Sequence, residues 1–173
     1  MNTKKYRLVN KYGMKEIIIF CNGACEGNPG PGGWAAIIID GEGWLTVEGG
    51  EAYTTNYKME VEAVIGALEA LREPSKVRLY TDSVDVPHAL SKWKAEGSRP
   101  KEDLGKRLYA QAVKHQFICE RVKPHADQIV ADMNDVCDAL AKHEIQKIRN
   151  QNELDELVVI LELFKKRQEI AIK

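Results

Sequence analysis

Residues 19–38 read IFCNGACEGNPGPGGWAAII. Ile17–Phe20, the β-branched apolar run that leads into this stretch, suits a buried strand. Trp34–Ile39 leads out as a second strand. Between them, NGACEGNPGPGG holds Gly23, Gly27, Gly30, Gly32, Gly33, Pro29 and Pro31, which predicts a turn or loop. Asp40-Gly41 is a hairpin signal, and Trp44–Val47 returns as a third strand. Three strands joined by short connections describe an antiparallel meander.

Beyond Gly49-Gly50 the period changes. Met59, Ala63, Ala67, Ala70 and Leu71 recur at helical spacing after Thr54 and Thr55, and Pro74 closes the run. Val77, Leu79 and Tyr80 make a fourth strand, ended by Thr81-Asp82-Ser83. Asp82 and Ser83 are good caps for a helix running through Ala89–Trp93, with Pro87 expected to delay its start. Residues 101–114 read as another helix, 117–122 as a fifth strand and 126–148 as a helix. The order β-β-β-α-β-α-α-β-α is that of a mixed α/β fold. Lys4, Lys5, Arg7 and Lys11 make residues 1–13 a basic tail ahead of a domain spanning 14–150. Residues 151–173 form a C-terminal extension. Its Leu154, Leu157, Val158, Leu161 and Phe164 share one helical face, suited to packing on the domain or on a second copy. The expectation is a monomer, with dimerisation through this segment as the alternative.

The chain has 173 residues, a formal net charge of −1 and 44% hydrophobic residues, which describes one globular domain and excludes a disordered or collagen-like chain. No apolar run reaches the ~18–20 residues of a membrane span. The first residues lack the apolar core of a secretory signal. Cys21, Cys25, Cys119 and Cys137 fit no paired zinc spacing and read as reduced thiols, which points to the cytoplasm. The near-zero charge gives no bulk reason to expect a nucleic-acid partner.

Chemistry-bearing residues gather at the ends of the elements. Asn22 follows the first strand and Asp82 the fourth, while Glu60 and Asp138 each sit amid inward-packing helix residues. A carboxylate there is costly unless a positive group compensates it. Divalent metals do so, and Mg²⁺ takes oxygen ligands.

Four blocks, IFCNGACEGNPGPGGWAAII, TTNYKMEVEAVIGALEAL, VRLYTDS and KPHADQIVADMNDVCDALA, resemble in order and spacing the type 1 ribonuclease H family across residues 15–145. The resemblance implies an α/β fold with a five-stranded mixed sheet flanked by helices. It implies an endonuclease that cuts the RNA strand of an RNA–DNA hybrid with two Mg²⁺ ions, Mn²⁺ being a possible substitute. In that family, Glu60, Asp82 and Asp138 would be three of four catalytic, metal-binding acids. The fourth position carries Asn22, where the family has aspartate. By resemblance, Asp82 and Glu60 would hold one metal, Asp138 the other, and position 22 both. An amide has the shape of a carboxylate without its charge, and its NH₂ cannot face a cation. The expectation is a chain that folds but cleaves poorly or not at all. Asn22 is then an engineered substitution, the native residue of a hybrid-binding protein without cleavage, or a change compensated by other ligands.

The resemblance also places His125 at the family's mobile histidine, linked to proton handling or release. Pro124 before it, and a loop to Asn134 about three residues longer than the bacterial pattern, depart from the family. For the hybrid, the resemblance implies contacts from Gly23, Cys25, Asn28, Thr55, Asn56, Lys58, Ser83 and Asn134. Thr55 and Lys58 would lie near a DNA phosphate and Asn134 near the RNA strand. Val84 stands where the family often has a polar residue. Residues 91–107, rich in Lys and Arg, read equally as a solvated loop or a hybrid-binding patch.

Overall fold

The computed structural model describes residues 16–40, 43–96, 100–122 and 128–171. Five strands and four helices follow in order: β1 (Glu16–Cys25), β2 (Gly30–Ile39), β3 (Trp44–Thr54), α1 (Asn56–Glu69), β4 (Lys76–Thr81), α2 (Asp85–Glu96), α3 (Asp103–Ala112), β5 (Gln116–Arg121) and α4 (Gln128–Ala171). They form one sheet in the order β3-β2-β1-β4-β5. β1, β2 and β3 are antiparallel, whereas β4 lies parallel to β1 and β5 parallel to β4. The parallel pairs are joined through helices, as the chain direction demands.

Strand alternation sorts the core into two layers. Ile19 and Cys21 of β1 face one side, with Val77 and Leu79 of β4, and pack on Val64, Ile65 and Leu68 of α1, Leu90 of α2 and Leu108 of α3. Phe20 and Ile37 face the other side and meet Val130, Met133, Cys137 and Leu140 of α4. The same alternation sends Asn22 to the α4 side and Gly23 to the α1 side.

Four sequence expectations change. The glycine-rich stretch is mostly strand: β1 runs on through Asn22–Cys25 and β2 begins at Gly30, leaving a turn of 26–29. Gly27 serves the turn, with φ +84°, whereas packing explains Gly23 and Gly33. A Cβ on Gly23 would lie 2.3 Å from Met59 C and Glu60 N, and one on Gly33 2.1 Å from the Ala141 carbonyl oxygen. The sheet can therefore accept α1 and α4 at backbone distance. β3 does not stop near Val47 but reaches Thr54, because β2 pairs with it along its whole length. Pro87 does not delay α2, which starts at Asp85. Proline in the first helical turn forfeits only an N–H that has no intrahelical partner. Finally, the helix expected over 126–148 and the helical face expected in 151–173 are continuous, α4 running from Gln128 to Ala171.

All four cysteines are free, with Cys21 and Cys137 buried, as the sequence suggested. Among the described residues, no helix is long and apolar enough to cross a membrane.

Candidate active site

The parallel register pairs Cys21 with Thr81, so Asn22 and Asp82 are the next residues at the same end of β1 and β4. The Asn22 Nδ2 donates to Asp82 Oδ2 at 3.2 Å. Asn22 is only 4% exposed, so this bond satisfies a polar group that water cannot reach freely. Arg121, at the end of β5, donates its Nε–H to the Asp82 carbonyl at 3.2 Å and fixes the turn from the other side.

Glu60 enters from α1, one turn inside the helix. Asn56 Nδ2 donates to Glu60 Oε1 at 2.8 Å, and Ser83 Oγ donates to Oε2 at 2.6 Å. Burial pushes the Glu60 carboxyl above the usual glutamate range. The Ser83 and Asn56 hydrogen bonds oppose this, while the charges of Asp82 and Asp85 add to it. Ser83 also caps α2 by accepting from Val86 N–H at 3.4 Å. One hydroxyl thus joins the start of α2 to the acid on α1.

Asp138 lies on α4, next to Cys137, whose thiol donates to the Phe20 carbonyl of β1. Lys142, one turn on, donates to Asp138 Oδ2 at 2.6 Å. Asn134, one turn earlier, is buried, and its Oδ1 has no partner among the described residues. Lys142 was not singled out by the motifs, although an Asp-to-Lys spacing of four on a helix is a readable ion-pair signal. The Ser83–Glu60 bond joins residues 23 apart and becomes visible only with the fold.

The remaining expected residues fall around the start of α1. Thr55 is the N-cap, its Oγ1 accepting from Lys58 N–H. Asn28 Oδ1 accepts from Asn56 N–H at 3.0 Å, tying the 26–29 turn to the helix. Cys25 Sγ donates to the carbonyls of Gly30 and Thr54, so it faces backbone. Lys58 Nζ meets the Glu51 carboxylate at 2.7 Å. Gly23 is the close-approach position beneath Glu60. His125 lies outside the described residues.

Divalent cations require oxygen donors with net negative charge. The Asn22 amide turns its NH₂ toward Asp82, both Glu60 oxygens accept from neutral donors, and Asp138 is paired with an ammonium. Among the described residues, no group of three or more His, Cys, Asp or Glu is placed to hold a metal. Glu60, Asp82 and Asp138 supply carboxylate oxygens that a divalent cation could take, while the Asn22 amide leaves the set one charge short and Lys142 competes for Asp138. A cavity of about 770 Å³ lies at the opposite end of the sheet, lined by Ile17, Ile38, Trp44, Leu71 and Pro74. None of the site residues described above lines it.

The profile of the family described as RNase H matches residues 14–146. The chain belongs to the ribonuclease H family. It is 41% identical over 150 residues to the ribonuclease H of Moorella thermoacetica, covering 80% of this chain and 97% of that protein. It is 44% identical over 138 residues to the ribonuclease H of Phenylobacterium zucineum, covering 73% and 88%. Among solved structures it resembles LC11-RNase H1 in complex with RNA/DNA hybrid, with a TM-score of 0.57 and 26% identity over 76% of this chain and 97% of that one. The fold is also that of the N-terminal RNase H domain from Mycobacterium tuberculosis, with a TM-score of 0.62 and 22% identity over 80% and 99% of the two chains. Ribonucleases H generally use divalent metal ions, so the amide at position 22 is the point where the site and the family's chemistry meet.

Proposed function

We propose that this ribonuclease H binds RNA–DNA hybrids and that its site is built for endonucleolytic hydrolysis of the RNA strand. The observation that carries the reading is the convergence of Asn22, Glu60 and Asp82 from β1, α1 and the end of β4. The hydrogen bond between Asn22 and Asp82 joins the two strand ends. Hydrolysis would call for two divalent cations, Mg²⁺ or Mn²⁺, on Glu60, Asp82, Asp138 and the residue at position 22. With Asn22 that set is one carboxylate short, so cleavage by this chain is impaired. Ser83 and Asn56 would hold the Glu60 carboxylate in place. Thr55, Asn56, Lys58 and Asn28 would seat the hybrid at the start of α1, with Thr55 and Lys58 toward a DNA phosphate. Gly23, Cys25, Ser83 and Asn134 would line the approach to the scissile strand, and His125 would handle protons or release.

A telling experiment labels each strand of a hybrid in turn and incubates it with the Asn22→Asp variant and Mg²⁺. Cuts confined to the RNA strand support the reading, and intact RNA overturns it. A second reading is a hybrid-binding protein without cleavage. It is favoured by the way the Asn22 amide and the Lys142 ammonium occupy Asp82 and Asp138 from within. Tight hybrid binding with no cleavage gained by Asn22→Asp would decide for it.

A further inference from the structure

The N-terminus of α1 has the elements of an anion seat. Thr55 caps the helix, the helix dipole presents partial positive charge there, and Lys58 adds a full one within the first turn. Yet the Lys58 ammonium is already engaged. Glu51, on β3, places its carboxylate 2.7 Å from Nζ, and the two side chains are 37% and 39% exposed. Pairing with Gly32 of β2 sets the backbone of Glu51 within reach of the first turn of α1. A phosphate and a carboxylate on one ammonium repel each other.

We infer that Glu51 is an internal anion, occupying Lys58 in the free protein and displaced by a DNA-strand phosphate when a hybrid binds. Glu51 thereby lowers hybrid affinity and acts through Lys58. This rests on the hybrid-binding reading. The displaced carboxylate swings to solvent, which its partial exposure permits, and no covalent step is involved.

The test is a double-mutant cycle on the full chain, with a short RNA–DNA hybrid as probe and EDTA present so that no strand is cut. Glu51→Gln should tighten binding about three- to five-fold at low salt, the range expected for a partly exposed ion pair. In the Lys58→Gln background, the same substitution should change affinity by less than about 1.5-fold, because the ammonium it shields is gone. Glu73→Gln, at the opposite end of the sheet, controls for net charge. An equal gain from Glu73→Gln, an undiminished gain without Lys58, or no gain from Glu51→Gln each overturns the inference. If no variant binds the hybrid, the hybrid-binding reading fails as well. Binding without a Glu51 effect counts against Glu51 alone.

Discussion

Asn22 holds its place by shape and gives up charge. Its NH₂ satisfies Asp82 across the strand ends, which an aspartate could not do. Asn22→Asp should therefore lower the stability of the metal-free protein by about 1–3 kcal/mol, through a lost hydrogen bond and a new like-charge neighbour. Thermal unfolding in EDTA checks this, and Mg²⁺ should recover the loss in the variant more than in the parent. At this scale no single residue type carries the chemistry. The amide at position 22 and the acids at 60, 82 and 138 are picked out only by the four motif blocks taken together. The neighbours that hold them are not. Ser83 on Glu60 and Arg121 on the Asp82 carbonyl depend on which strands lie side by side.

The elements are set by how closely helices approach the sheet. Gly23 lets the α1 backbone sit against β1, with Glu60 directly above. Gly23→Ala forces that contact apart and should cost about 1–3 kcal/mol, read as a shift in urea midpoint. It should also weaken any activity restored by Asn22→Asp, because Glu60 moves with the helix. Such close packing is why NGACEGNPGPGG reads as a loop in the sequence but is mostly strand in the fold. Glycine density is the same signal for a turn and for a crowded strand, and only the neighbouring helix distinguishes them. At the far end of the sheet, Ser75 N–H donates to His115 Nδ1 at 3.2 Å, joining the entries to β4 and β5. Burial, with the nearby Lys114, pulls the His115 pKa below its ordinary value. Protonation would remove the acceptor, so this contribution to stability is full above about pH 6.5 and is lost as pH falls through the lower folded-state pKa. Denaturation midpoints from pH 7.5 to 5 should decline less steeply in His115→Gln than in the parent.

Across the whole molecule, the sheet and its two helical layers carry the candidate site. The family match ends at residue 146, and among the described side chains α4 packs on the sheet from Val130 and reaches the 26–29 turn through Arg149, which pairs with Glu26. Truncation after Asn150 should leave a cooperatively folding protein whose hybrid affinity is unchanged within about two-fold. Loss of cooperative melting would show that 151–173 braces the domain. Element order and sheet membership were legible because hydrophobic period and turn chemistry agree over most of the chain. The unbroken passage from 148 to 171 was not, because the charged flanks of Leu157–Phe164 suit an independent segment as well as a continued helix. The small net charge is a sum over paired groups. Lys58 with Glu51, Lys142 with Asp138 and Arg149 with Glu26 each cancel locally. A near-neutral total is thus compatible with a nucleic-acid surface whose charges are already partnered. On the proposed function, one missing carboxylate at position 22 separates this chain from an active ribonuclease H. The most direct test compares initial rates of hybrid cleavage by the parent and Asn22→Asp at equal protein and saturating Mg²⁺. A gain of about a hundred-fold or more is expected, the scale on which a preorganised catalytic ligand acts, and equal rates would rule out the missing carboxylate as the cause.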